Sequence, residues 1–186
     1  MKVTAGVDEV GRGSLIGPVY AAAVILNKSI NIKFLKDSKL ITKDKRELLS
    51  NYIKENSIWA IGTASIKEID KINILQASLL AMKRAIKKLK KKPNLVLIDG
   101  NKLPNLKNYN LEYVIKGDQK IPSISAASII AKVSRDKFVT ALSIKFRKYG
   151  WHTNSGYGTK EHLRAIKKFG ITKYHRKTFS PVSNLK

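Results

Sequence analysis

Apolar residues fall along this chain in short blocks with two distinct rhythms. Val3 to Val7 is a compact apolar run that reads as a strand, and Pro18 opens a second over Val19 to Leu26. Ile58 to Ser65 predicts a third strand, Leu95 to Ile98 a short buried fourth that runs into Asp99-Gly100, and Leu111 to Ile115 a fifth. Between these blocks the spacing turns helical. Thr42 is placed to cap a helix through about Asn56, with Leu48, Leu49, Tyr52 and Ile53 on its apolar side. Ser65 and Glu68 form a capping box ahead of an amphipathic segment running towards Lys92, in which Ile72, Leu75, Leu79, Met82 and Ile86 recur at helical spacing. Its lysine-rich tail suits the negative end of a helix dipole, and Pro93 stops it. A long helical pattern follows from Ile121 to about Tyr149, its many small residues letting it lie close to a sheet. Lys160 to Phe169 predicts a last helix with Gly170 as its C-cap. The alternation, without repeats or linkers, predicts one mixed α/β domain over residues 1–186.

Only 13 residues are acidic against 37 basic, so the adjacent pair Asp8-Glu9 beyond the first apolar run needs a reason. Hard divalent cations supply one, because Mg²⁺ and Mn²⁺ prefer carboxylate oxygens. The neighbouring Gly11 and Gly13 let backbone come close to a ligand. Asp99 follows the fourth apolar run and Asp118 the fifth, giving three acidic positions at strand ends, where sites in α/β sheets collect. If those strands are neighbours, the carboxylates converge at one edge of the sheet. Adjacent residues of a regular strand point to opposite faces, so Asp8 and Glu9 grip one ion only if the strand ends or bulges there. Gly11 and Gly13 favour an early end. Asp136 rivals Asp118 as a fourth ligand, but an intervening helix would hold the two up to ~27 Å apart, and Lys132 and Arg135 are ready partners for it. Asp118 is preferred, against the alternative of a helix N-cap. Two ions about 3.5–4 Å apart on such carboxylates suit in-line hydrolysis of a phosphodiester.

The formal net charge of +24 changes the picture by pointing to a polyanionic partner, nucleic acid before acidic membrane. The chain has no cysteine, which excludes disulfides and thiolate zinc sites. No run approaches the ~18–20 apolar residues of a membrane span, and no signal peptide opens the chain, so the cytoplasm is the expected compartment.

At this point the motifs resemble those of ribonuclease HII, a type 2 ribonuclease H. The matching residues are Asp8-Glu9-Val10-Gly11-Arg12-Gly13 with Gly17-Pro18-Val19, then Asp37-Ser38-Lys39-Leu40, Ile98-Asp99-Gly100 and Lys116-Gly117-Asp118. Ser125 to Asp136, Gly156-Tyr157-Gly158-Thr159 with His162, and His175 to Val182 complete the set, in order and over nearly the whole chain. The resemblance implies a ribonuclease H-like fold, a central mixed five-stranded sheet flanked by helices. It implies cleavage of the RNA strand of RNA–DNA hybrids and of DNA duplexes containing ribonucleotides, cut on the 5′ side to leave 5′-phosphate and 3′-hydroxyl ends. It also implies four metal-binding carboxylates, Asp8, Glu9, Asp99 and Asp118, holding two ions of Mg²⁺ or Mn²⁺. Gly11, Arg12 and Gly13 correspond to the turn that senses the 2′-hydroxyl, the group that separates RNA from DNA. Tyr157 corresponds to the tyrosine that stacks on the sugar beside the ribonucleotide, and Lys39 and Lys132 to basic positions suited to phosphate. His162 and His175 match late positions read as structural. Asn154-Ser155 departs from the His-Lys more often found before this glycine in bacterial members, which puts backbone contacts near Tyr157 in doubt. A monomer is the expected state.

Two other readings compete. A junction resolvase keeps the carboxylates but leaves the glycine–arginine–glycine turn and Tyr157 unexplained. A basic RNA-binding protein, like a ribosomal component, explains the charge but not the carboxylates after apolar strands, which repel phosphate unless a cation neutralises them.

Overall fold

The computed structural model describes residues 3–35 and 42–184, so the Asp37-Ser38-Lys39-Leu40 motif, and Lys39 with it, lies outside the described residues. Five strands form one mixed sheet: β1 (Thr4–Val10), β2 (Val19–Leu26), β3 (Ser57–Ala64), β4 (Leu95–Asp99) and β5 (Leu111–Val114). Their spatial order is β3-β2-β1-β4-β5. The first three are joined antiparallel, whereas β4 and β5 run parallel to β1. The helices are α1 (Lys43–Glu55), α2 (Ile66–Lys88), α3 (Gly117–Lys120), α4 (Pro122–Lys145), α5 (Trp151–Asn154) and α6 (Lys160–Phe169).

Strand alternation sorts the core into two layers. Ala5, Val7, Val96 and Ile98 face α2, where Ala77, Ala81 and Ile86 meet them. Ala22 and Val24 face the other way, onto Ile53 of α1 and Ala126, Ala127 and Ile130 of α4. Small residues set how close the helices come. A side chain at Gly6 would run into the α4 backbone at Ser123 and Ile124, and one at Gly62 into the α2 backbone at Ala81 and Ala85. A third cluster of Leu15, Ile16, Leu142, Tyr149, Trp151, Ile166 and Val182 joins the β1–β2 turn to the C-terminal helices.

The expected mixed five-stranded α/β fold is present, and the differences are local. β1 continues through Val10 because Asp8, Glu9 and Val10 pair in unbroken register with Ala22, Ala21 and Tyr20. The early end expected before the acidic pair is therefore absent. α2 stops at Lys88 rather than near Lys92, since Leu89 leaves the helical conformation and packs against the first core layer. Asn73 interrupts α2 with φ 64° and ψ 167°, and its Oδ1 accepts the N–H of Gln76, so it starts the second stretch as a cap. The single helix expected from Ile121 to Tyr149 is shorter: Ile121 is extended before Pro122, as proline demands of its predecessor, and α4 ends at Lys145. Among the described residues, no helix is long and apolar enough to cross a membrane.

Candidate active site

Register brings the acidic residues to one end of the sheet. Val7 pairs with Ile98, so Asp8 and Asp99 are the next residues on neighbouring parallel strands. Asp99 Oδ1 accepts the N–H of Gly117 at 2.6 Å, which ties the start of α3, and thus Asp118, to the tip of β4. Gly117 suits this close approach, since a side chain would press on the tip of Ile124 and crowd Val114. Asp118 sits in the first turn of α3, half-buried, and the N-cap is Lys116 in the left-handed region; the N-cap alternative for Asp118 falls away.

Because β1 is regular, Asp8 and Glu9 point to opposite sides of it. Asp8 lies on the α4 side, 5% exposed, where the Ser128 hydroxyl hydrogen-bonds to it. Its Oδ1 also accepts the Glu9 N–H at 2.7 Å. Glu9 lies on the α2 side, in a cleft with Ser78, Met82, Asp99 and Asn101, and Arg12 Nη1 donates to its Oε1 at 3.3 Å. Among the described residues, no three His, Cys, Asp or Glu side chains stand close enough together to form a ready-made metal cage. The carboxylates share one end of the sheet, with Asp8 and Glu9 on opposite sides of β1.

Burial pushes the Asp8 carboxyl well above its ordinary value, the neighbouring Glu9 and Asp99 charges push it the same way, and the Ser128 hydrogen bond opposes them. Glu9 is raised too, first by burial, against the pull of Arg12. Hard oxygen donors crowded into a low-dielectric end of a sheet, and reluctant to ionise, are chemically suited to a divalent cation.

The glycine–arginine–glycine turn leads directly out of β1. Arg12 and Gly13 are exposed, and a side chain at Gly13 would lie 3.8 Å from Cε1 of Tyr157, so turn and tyrosine are neighbours. Lys132 on α4 is paired with Asp136, Nζ to Oδ1 2.9 Å, with Arg135 further off at 3.8 Å. That pairing of Asp136 matches the expectation, and it means Lys132 already carries a counter-ion. Asn154 is buried and structural: Nδ2 donates to the Tyr149 carbonyl and Oδ1 accepts the Gly156 N–H, both at 2.8 Å. His162 and His175 are buried against Trp151, whose indole N–H donates to His162 Nε2 at 2.9 Å. Ser128 and Arg176 received no role from the sequence, and Arg135 only that of a partner for Asp136, although all three lie inside the matched motifs; ordinary polar residues in such segments carry no sign of what else they touch.

A profile of the family described as Ribonuclease HII matches residues 5–182. The chain belongs to the ribonuclease HII family. The ribonuclease HII of Pelagibacter ubique (strain HTCC1062) is 83% identical, with 100% of each chain covered. The crystal structure of ribonuclease H2 from Pyrococcus horikoshii OT3 superposes with a TM-score of 0.82 at 28% identity, covering 100% of this chain and 97% of that one. Bst-RNase HIII, crystallised in complex with Mn²⁺, shares the fold with a TM-score of 0.79 at 19% identity, covering 99% of this chain and 69% of that one. As a ribonuclease HII the protein is a metal-dependent endonucleolytic hydrolase that cleaves RNA in RNA–DNA hybrids and at ribonucleotides embedded in DNA. Family membership sets aside both the resolvase and the ribosomal-component readings.

Proposed function

We propose that Asp8, Glu9, Asp99 and Asp118 hold two divalent ions, Mg²⁺ or Mn²⁺, and that residues 1–186 form a single catalytic domain working as a cytoplasmic monomer. The observation that carries the reading is a buried aspartate flanked by two further carboxylates at the ends of neighbouring parallel strands. Crowding of this kind is unfavourable for the protein alone and favourable for cation capture. When bound, two ions supply activation of the attacking water and stabilisation of the leaving oxygen.

The chain's own residues then do the selecting. Gly11, Arg12 and Gly13 present backbone and a guanidinium to the ribonucleotide, whose 2′-hydroxyl both donates and accepts hydrogen bonds. Tyr157, 36% exposed and beside Gly13, offers a ring face to the adjoining sugar. Lys39 and Lys132 meet backbone phosphate, Lys132 by exchanging Asp136 for a phosphate oxygen. The scissile bond lies on the 5′ side of the ribonucleotide, and the products carry 5′-phosphate and 3′-hydroxyl ends. The surplus of 37 basic over 13 acidic residues draws the duplex in.

Matched duplexes containing zero, one or several ribonucleotides, each incubated with Mg²⁺ or Mn²⁺, test this reading. Cuts are expected only at ribonucleotides, on their 5′ side, and not in the presence of a chelator. Cleavage of the all-DNA duplex, or cleavage without metal, would overturn it.

A further inference from the structure

Two guanidinium groups lie inside the protein directly behind the surface that carries Gly11 to Gly13 and Tyr157. Arg135 of α4 is 1% exposed and Arg176 of the C-terminal segment is 0% exposed. Arg176 Nη1 donates to the Arg12 carbonyl and Nε to the Gly17 carbonyl, both at 2.9 Å, so it grips the turn at two points. The Arg176 backbone N–H adds a bond to the Leu15 carbonyl at 2.8 Å. Arg135 Nη2 donates to the Ser155 carbonyl at 2.8 Å, and its guanidinium sits 5.2 Å from the centre of the Tyr157 ring. The same side chain runs so close under Gly11 that an added Cβ would stand 2.6 Å from its Nε. Ser14 and Leu15 close the arrangement, the Ser14 hydroxyl and the Leu15 N–H both donating to the Gly156 carbonyl.

We propose that Arg135 and Arg176 are positioning residues that lock the glycine–arginine–glycine turn and Tyr157 into one rigid recognition surface and so set the enzyme's response to a single ribonucleotide. This rests on the reading of that turn and of Tyr157 as the parts that meet the ribonucleotide. Burial excludes the simpler idea that the two arginines clamp phosphate themselves, since neither presents its guanidinium to solvent. A purely structural role is also a poor fit. Among the described residues, Arg135 Nε and Nη1 and Arg176 Nη2 are buried without a hydrogen-bond partner. Buried and under-satisfied cations weaken a fold relative to apolar side chains of similar size. Burial, and then the charge of Arg135, lower Arg176 to about 9, so it remains a cation at neutral pH beside a second one. What the pair provides is a fixed spacing between two segments more than a hundred residues apart.

The test is a double-mutant cycle read as kcat/KM on a DNA duplex carrying one ribonucleotide. Arg135→Lys keeps the charge but loses the planar fork that reaches Ser155 while lying against the tyrosine. It is expected to lower kcat/KM about tenfold or more, the scale of misplacing a substrate contact. In a Tyr157→Ala background the same change is expected to have less than ~2-fold effect, because contacts acting through one partner are not additive. A Tyr157→Ala enzyme as active as the parent overturns the reading of Tyr157 and the proposal with it. A damaged Tyr157→Ala enzyme in which Arg135→Lys still exerts its full factor overturns the proposal alone. Arg176→Lys, taken through the same cycle, decides the matter if circular dichroism shows Arg135→Lys unfolded. Loss of folding in both single variants would assign the pair to stability and also overturn the proposal.

Discussion

Gly6 and Gly13 lie seven residues apart on the way into the active site, and the structure predicts opposite fates for alanine at the two positions. A Cβ at Gly6 would stand 2.5 Å from the Ser123 carbonyl oxygen, with the Ser123 carbonyl carbon and Ile124 nitrogen closer still. Ordinary contact begins near 3.4 Å, so α4 must retreat by about 1 Å, and the obstacle is helix backbone, which has no rotamer to change. Overpacking of this kind costs about 1–3 kcal/mol, and a neighbour made of helix backbone places Gly6→Ala near 3 kcal/mol. For a chain of this length that is a fall in Tm of roughly 6–12 °C. The retreat also draws Ser128 away from Asp8, so residual folded enzyme should turn over more slowly. At Gly13 an alanine meets only the Tyr157 ring edge, at 3.8 Å, and Gly13 is absent from the glycines with positive φ. Gly13→Ala should therefore hold its stability within about 0.5 kcal/mol, as surface changes do, while losing activity on a single embedded ribonucleotide. Urea and thermal unfolding of both variants, beside cleavage kinetics, provide the assay. A Gly6→Ala protein as stable as the parent would refute the backbone-contact argument, and a strongly destabilised Gly13→Ala would refute the assignment of that glycine to substrate.

Other outcomes can be checked with the same material. Asp99→Asn should reduce cleavage by at least ~10³-fold, the scale of losing a key electrostatic stabiliser, while duplex binding measured by fluorescence anisotropy persists; full turnover with lost binding would count against Asp99 as a ligand. Duplex affinity should fall steeply between low and moderate salt through counterion release, and a flat response would contradict an electrostatic footprint. His175 is lowered from 6.5 to about 4, chiefly by burial and then by the His162 charge. The unfolded chain takes up this proton near pH 6.5 and the folded chain only near 4, so the stability involved is complete above pH 6.5 and is lost as pH falls to 4. Roughly 3 kcal/mol is at stake by linkage, and unfolding curves of the parent and His175→Gln should separate in pH dependence across that window; parallel curves would refute it.

Much of the fold was legible in the chain because its signals are local. Strand β2 falls on Val19–Leu26 as the apolar run indicates, Thr42 and Ser65 cap the helices they precede, and Gly170 ends α6. Each depends on residues within a turn or two, where pattern and conformation are directly linked. The acidic residues were equally visible, since an aspartate–glutamate pair in a basic chain is conspicuous.

Tertiary structure decided what local rules cannot reach. Whether β1 ends before its carboxylates depends on β2, which continues the ladder through Val10 and sends Asp8 and Glu9 to opposite sides. Whether Asp99 lies beside Asp8 depends on β4 pairing parallel to β1 across some ninety intervening residues. The burial of Arg135 and Arg176 could not be read from two basic residues in polar surroundings, because their partners are backbone carbonyls of distant segments. The amino-acid order by itself determined the elements, the charge and the chemical types available to a site. Strand order and helix packing determined which of those groups face one another, for contact across a sheet is set by pairing energy summed over whole elements rather than by any residue's immediate neighbours.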